Sequence, residues 1–433
     1  MNWEEAYLFL ESTKKYGSRP GLDCIRSLMG KLGDVQDRVP VIHIAGTNGK
    51  GSVGAMIAAT LTEAGYRVGR FATPDVFSYE EEFLLNGEAI ARERLTALFE
   101  EVAAACALLT AEGQPHPTRF EVETAAAYLW FYEEQVDIAI VEAGMGGALD
   151  ATNVIAHPLL SVLTSIGMDH MKFLGNSLTE IAQAKAGIIK KRCPVVTVKQ
   201  PREVRAVILE TCAARGAPLV TADAALAGDC ICTAEETSFL WYGDIRIRLG
   251  LTGRFQIENA VCALTVLAHL NPISHGKYAG VTPYVAREAL AKVRWPGRFE
   301  KIGSEPEFYL DGAHNEDAVR KLKRTLQDCF AGRRIVYIMG VLADKNFEQM
   351  SRILFRPGDC VFTLQPDNVR ALPAGQLADL LRGQGVAATA CADAHEAVFR
   401  ALDTAGKADV VLAFGSLYSL KSVRDAYATC QTC

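Results

Sequence analysis

The stretch VPVIHIAGTNGKGSVGAMIAATLTEAG, Val39 to Gly65, decides the fold. Its first part, VPVIHIAG, is a β-branched apolar run ending in Gly46, the pattern of a buried parallel strand. Its last part, SVGAMIAATLTEAG from Ser52, reads as a helix stopped by Gly65. Between them lies GTNGKGS, comprising Gly46, Thr47, Asn48, Gly49, Lys50, Gly51 and Ser52. Its three glycines let backbone N–H groups approach an anion closely, and the helix N-terminus adds orphan donors and partial positive charge. Lys50 can neutralise phosphate charge, and the Ser52 hydroxyl is placed to ligate Mg²⁺. The spacing departs from G-x-x-x-x-G-K-[ST]: position 44 is Ile, and Gly51 separates the Lys from the hydroxyl. A Gly-rich turn without a ligand is the plain alternative.

Outward from this stretch, further apolar runs end in polar or glycine-rich segments. VDIAIVEAG (136–144) ends in Glu142, and HPLLSVLTSIG (157–167) leads to Asp169 and His170. An acid at the end of a buried strand beside a phosphate loop is placed to face the nucleotide's metal. Helical patterns such as ARERLTALFEEVAAACALLTAEG (91–113) lie between the runs. The alternation predicts an α/β fold: a P-loop-type, mostly parallel sheet in an N-terminal ATPase domain. At VRWPGR, Val293 to Arg298, Pro-Gly punctuation ends a helical pattern and the strand–helix alternation restarts. That places a boundary at 295, with domain 1–295 followed by a smaller Rossmann-like α/β domain, 296–433. The stretch DCICTAEETSFLWYGDIRIRLGL (229–251) alternates like antiparallel strands, a small β layer expected inside the first domain.

Composition bounds the function. With 45 basic against 51 acidic residues the net charge is −6, which opposes sequence-independent nucleic-acid binding. The opening MNWEEAYLFLEST lacks the basic and apolar regions of a signal peptide, and no apolar run reaches the ~18 residues of a membrane span. The expectation is a reduced, cytoplasmic, soluble protein without nucleic-acid or membrane partners. The 12 cysteines are spread along the chain, and the sole CxxC is Cys430 to Cys433. Ordinary reduced thiols are the expectation. Lys185, in IAQAKAGIIK, sits in an apolar, small-residue helix, where a lysine by itself snorkels to solvent.

GTNGKGS, GMGGALDATN, TSIGMDH, AKAGIIK, LTGRFQIENA, WPGRFE, DGAHN and FGSLYSL occur in this order. Together they resemble the folylpolyglutamate synthase/dihydrofolate synthase family of the Mur ligase superfamily, from about Arg19 to Arg424. The resemblance implies an ATP-dependent ligase that joins glutamate to a folate-type carboxylate through an acyl phosphate, on dihydropteroate, on reduced folate, or on both. It implies magnesium positions at Ser52, Glu142 and His170, and a carbamylated Lys185 that holds a second Mg²⁺. Nucleotide contacts fall on the P-loop, Asn259, Arg298 and Asp311. His314 and Asn315 lie beside ATP and the incoming glutamate, and Lys345 and Ser416 lie in matching loops of the second domain. Lys50, Lys185 and His314 are the implied catalytic set. Thr73, Asp75, Asp150, His314, Asn315 and Ser416 are the implied substrate contacts.

Three motifs depart from the family pattern. ATPDV (72–76) stands where the family commonly reads TSPHL, so Asp75 replaces a His; Ala148 replaces an Arg; Phe255 replaces a His. These departures bear on the second substrate more than on the ATP chemistry. They motivate one alternative, a related amide ligase acting on another carboxylate. A P-loop switch or binding module is the alternative from another class, and DGAHN would then have no role.

Overall fold

The computed structural model describes residues 1–17 and 19–431. Cys433, and with it the CxxC reading, lies outside the described residues. The chain forms two compact units: Met1–Leu226 with Glu258–Leu290, and Ala227–Ile257 with Ala291 to the end.

The first unit is built on eight strands. They are β1 (Val41–Ala45), β2 (Val68–Phe71), β3 (Phe83–Leu85), β4 (Glu88–Ala89), β5 (Ile138–Glu142), β6 (Leu160–Leu163), β7 (Val195–Thr197) and β8 (Leu219–Thr221). The order is β4-β3-β2-β5-β1-β6-β7-β8. All neighbours are parallel except β3 and β4, which form an antiparallel margin beside β2. Every residue of β1, β5 and β6 is buried, which explains their largely apolar character, with His43, Glu142 and Ser161 the exceptions. Each fully buried side chain, such as Ile44 or Val162, contributes about 1.5–3 kcal/mol. One face packs on the helices Trp3–Ser12, Asp23–Lys31, Arg92–Ala111 and Arg119–Glu133. The same face, farther along at β6 and β7, packs on Leu178–Ala186 and Arg202–Arg215, and the opposite face packs on Lys50–Glu63, where a Cβ on Gly54 would stand 3.5 Å from Ile44 and Ile140. Ile44 is level with Glu142, and Ala45 with Leu163. Three strands therefore end at one edge, where Gly46, Glu142 and the segment after Leu163 meet.

The second unit holds β9 (Ala227–Cys232), β10 (Thr237–Trp241) and β11 (Ile245–Leu249), an antiparallel sheet in the order β11-β10-β9. It also holds β12 (Glu300–Ser304), β13 (Glu307–Leu310), β14 (Ile335–Met339), β15 (Cys360–Thr363), β16 (Ala387–Ala390) and β17 (Val410–Phe414). These run in the order β12-β13-β17-β14-β15-β16, parallel except for the β12–β13 pair.

A single cut at 295 does not describe these units. The antiparallel layer read from 229–251 is present, but it groups with the second unit. Gly253 N donates to Thr237 Oγ1 at 3.1 Å, and Arg254 Nε donates to Asp328 Oδ2 at 3.1 Å. The boundary falls within the helix Arg254–Ile273. Among the described residues no helix is long and apolar enough to cross a membrane.

Candidate active site

The turn after β1 is clamped before any ligand is considered. Thr47 N and Asn48 N donate to Ser165 O at 2.8 and 3.1 Å, and Thr47 Oγ1 donates to Gly167 O at 3.0 Å. The loop is thus fixed to the segment after β6 that carries Asp169 and His170. The helix Lys50–Glu63 follows, and its first-turn amides have no intrahelical acceptor. They leave an anion-binding end at Lys50, Gly51 and Ser52. Gly49 has φ +92°, and a Cβ there would stand 2.6 Å from Asn259 Oδ1. The structure therefore brings Asn259 against this loop.

Lys50 Nζ lies 3.4 Å from Glu142 Oε1. Lys185, on the helix Leu178–Ala186, does not snorkel: it is 3% exposed, and its Nζ donates to Gly46 O at 2.8 Å. The reason is the loop packed on that helix. Ala148 N donates to Ala184 O at 2.7 Å, and a Cβ on Gly147 would stand 2.8 Å from Lys185 O. Burial, then the neighbouring Lys50, pushes the Lys185 ammonium down to about 7, against the pull of Asp169, Asp150 and Glu142.

Asp150 caps the turn Ala151–Val154 and accepts from Met145 N at 2.8 Å and from Thr152 N at 3.1 Å. Burial raises its carboxyl above the usual range. The Thr152 hydroxyl donates to Asp150 and takes up His43 Nε2 at 2.9 Å. His43 thus stands behind Asp150, a link hidden in the sequence inside an apolar run. His170 opens the short helix Met171–Leu174 at φ +50°, and its N donates to Asp169 Oδ1 at 2.8 Å.

Thr73 and Asp75 lie on the loop after β2. Asp75 N donates to Glu82 Oε1 at 3.1 Å, so Asp75 is tied down and half-buried. Beneath it are two buried carboxyls, Glu82 and Glu123, both raised first by burial. Arg119 Nε donates to Glu123 Oε1 at 2.7 Å. Sequence reasoning missed this cluster. The one available signal was the i,i+4 pair Arg119/Glu123, which looks the same on an exposed helix face.

In the second unit, β13, β14 and β17 also end in register: Leu310 is level with Ala413, and Met339 with Phe414. Asp311 follows β13, and its carboxylate accepts from Phe299 N and Ala313 N, both at 2.9 Å. Burial raises its carboxyl, opposed first by the Arg298 guanidinium. His314 Nδ1 lies 2.8 Å from Gly312 O. Asn315 caps the helix Glu316–Cys329, accepting from Ala318 N at 3.0 Å. Ser416 follows β17 and accepts from Tyr418 N at 3.3 Å. Lys345 lies in the loop after β14. The sequence-predicted residues therefore form two sets, one at the strand ends of each unit.

Residues for a magnesium ion are present in the first unit. Glu142, Asp150 and Asp169 are all buried near Lys50 and Lys185, an acidic surplus that suits a cation. Among the described residues no three His, Cys, Asp or Glu side chains gather as a ready-made metal cage. Mg²⁺ in phosphate-transfer sites uses one or two carboxylates with substrate phosphates, so this donor set fits it.

Comparison with known proteins agrees with this build. The family description Mur ligase middle domain matches residues 44–267, and Mur ligase, glutamate ligase domain matches 297–417. The fold and its phosphate loop are those of a Mur-type ligase. The chain belongs to the folylpolyglutamate synthase/dihydrofolate synthase family of these ligases. It is 35% identical to dihydrofolate synthase/folylpolyglutamate synthase of Bacillus subtilis over 98% of both chains. It is 32% identical to folylpolyglutamate synthase of Lacticaseibacillus casei over 98% of both. Mycobacterium tuberculosis folylpolyglutamate synthase, solved with ADP and AMPPCP, superposes with a TM-score of 0.87 at 29% identity, covering 98% of this chain and 99% of that one. E. coli FolC in complex with DHPP and ADP gives 0.84 at 26%, covering 98% of each.

Proposed function

We propose that this protein is an ATP-dependent amide ligase that adds L-glutamate to a folate-type carboxylate: dihydropteroate, a tetrahydrofolate polyglutamate, or both. The observation that carries the reading is the complete phosphate loop with buried Lys185 at its back, in a chain similar to such ligases from end to end. A carboxylate is a poor acyl donor, so ATP converts it to an acyl phosphate and ADP leaves. The glutamate amine then attacks the acyl carbon, and the tetrahedral intermediate collapses to amide and phosphate. Transfer between anions needs positioning and charge neutralisation above all.

Lys50 and the amides up to Ser52 hold the nucleotide's phosphates. Asn259 and Asp311 orient the nucleotide, and Arg298 balances charge beside Asp311. Ser52, Glu142 and His170 would hold Mg²⁺, and a carbamylated Lys185 would supply a carboxylate-like ligand to a second ion. Bound there, Mg²⁺ neutralises charge on the transferring phosphoryl group. The buried Lys185 amine, facing the loop carbonyl of Gly46, suits that modification better than it suits a solvated cation. Asp150, Thr73 and Asp75 face the pterin-bearing acid. His314, Asn315 and Ser416 take the incoming glutamate, with Lys345 in a neighbouring loop. We place the protein in the cytoplasm as a monomer.

ADP release measured with dihydropteroate and with tetrahydrofolate, each with and without glutamate, tests the reading. Glutamate-dependent release with at least one acid supports it. Phosphate release with glutamate and an unrelated acid alone would transfer the reading to a Mur-type ligase of different specificity, as Asp75, Ala148 and Phe255 suggest.

A further inference from the structure

The end of β9 and the end of the helix Glu316–Cys329 meet within the second unit. Cys232 is paired with Thr237 across the β9–β10 ladder. Arg254 holds Asp328, the residue before Cys329. A Cβ on Gly253 would stand 2.9 Å from Thr325 Oγ1, one helical turn before Cys329. These contacts converge on the two thiols: Cys232 and Cys329 lie close enough to act on each other electrostatically, with Thr237 beside Cys232. Both cysteines are half-buried, so small solutes reach them, while Cys106, Cys193, Cys212, Cys262 and Cys391 are buried. Cys230 is exposed two residues earlier on β9.

The neighbouring Cys329 thiol, then Thr237 and the Arg254 charge, hold the Cys232 thiol down to about 7 against burial and Asp328. The same proximity raises Cys329. A stabilised thiolate beside a protonated thiol is the arrangement of an attacking and a resolving cysteine.

We propose that Cys232 and Cys329 form a reversible dithiol–disulfide site, oxidised by hydroperoxides or low-molecular-weight disulfides, with Cys232 attacking and Cys329 resolving. With a hydroperoxide, the Cys232 sulfur attacks the terminal oxygen. An S–O bond forms, the O–O bond breaks, and the alcohol or water leaves with a proton. The Cys329 sulfur then attacks the sulfenic sulfur; the S–S bond forms, the S–O bond breaks, and water carries off the thiol proton. Two electrons pass from the sulfurs to the peroxide. With a disulfide oxidant, Cys232 displaces one thiolate and Cys329 the second. The crosslink ties β9 to the C-terminal end of the helix that Asn315 caps, and closes a loop of about a hundred residues. The proposal does not rest on the ligase reading.

The test treats the full-length protein with equimolar hydrogen peroxide, and separately with glutathione disulfide, followed by alkylation, digestion and mass spectrometry. The expected product is an intramolecular Cys232–Cys329 disulfide, reversed by dithiothreitol, with a raised melting temperature. In Cys329→Ser, dimedone traps Cys232 as the sulfenic acid; in Cys230→Ser, the disulfide still forms. The proposal is overturned if Cys232 and Cys329 are both alkylated after oxidation while other cysteines are consumed, or if the disulfide joins Cys230 instead.

Discussion

Replacing His43 with Gln removes a titrating group from the centre of the first unit, and the effect of that change has a sign fixed by the structure. His43 is fully buried on β1. Because the Thr152 hydroxyl donates to Asp150, its oxygen is left to accept from His43 Nε2–H, so the ring is neutral with its proton on Nε2. Nδ1 is buried and has no hydrogen-bond partner. Protonation would put a donor there with no acceptor and a charge with no solvent. Burial, then Lys190, accordingly lowers the imidazole from 6.5 to about 3. Between these values the unfolded chain binds the proton and the folded chain does not. Stability is therefore full above about 6.5 and is lost as pH falls toward about 3, at about 1.4 kcal/mol per pH unit. From about pH 7.5 to about pH 4.5 the loss is about 3 kcal/mol. His43→Gln keeps a donor toward Thr152 and cannot titrate. It costs about 1–2 kcal/mol near neutrality, and the variant overtakes the parent in acid. Urea unfolding of both proteins across this range, followed by hydrogen exchange in the peptide spanning β1, measures the gap within the first unit. A gap that stays constant with pH would refute the reasoning.

Lys185→Ala should lower glutamate-dependent ADP release by about a hundredfold or more, without rescue by bicarbonate; full activity would remove the carbamyl-lysine role. Gly49→Ala forces a side chain into φ +92° and into Asn259. It should cost about 1–3 kcal/mol in stability and weaken ADP binding, read by melting and calorimetry. Asp75→His should change KM for the folate-type acid by about tenfold and leave KM for ATP unchanged; equal shifts in both would move Asp75 out of the substrate loop.

How much of this was legible depended on whether the cause lay near in sequence. The strand–glycine–helix order at Val39–Gly65 is local, and the helix is present at Lys50–Glu63, close to the reading. The ends of β5 and β6 were legible for the same reason: each apolar run breaks locally, β5 at its last residue Glu142 and β6 just after Leu163. Lys185 read from its own helix alone is a lysine that snorkels to solvent, and the structure buries it instead. Its burial is decided by the loop Gly144–Asn153, whose Ala148 N–H bonds into that helix from outside it. The antiparallel layer was legible from its alternation, but its allegiance was not. The contact that draws Ala227–Ile257 into the second unit joins Arg254 to Asp328, far along the chain. His43 was invisible because an apolar run surrounds it, and nothing in the sequence brings Thr152 to its Nε2.

The acidic balance and the anionic substrates are reconciled inside the first unit. A net charge of −6 repels nucleotide and folate at long range, yet screening limits that field to about 10 Å in ordinary salt. Binding is decided closer in, where Lys50 and the amides at the helix start concentrate positive potential on one loop. Glu142, Asp150 and Asp169 are buried just behind, and Lys50 alone cannot balance them while Lys185 is held near neutrality. An unpaired buried carboxylate is costly, so an arrangement with this surplus is stable only with hydrogen bonds or a cation. Asp150 has the hydrogen bonds, from Met145 N, Thr152 N and the Thr152 hydroxyl. Glu142 has Lys50 at 3.4 Å, a longer contact than a direct charge-assisted bond. That residue of acidity, at the end of a strand level with the phosphate loop, is the physical reason to put the proposed magnesium ion there rather than at the strand ends of the second unit, where Arg298 already opposes Asp311.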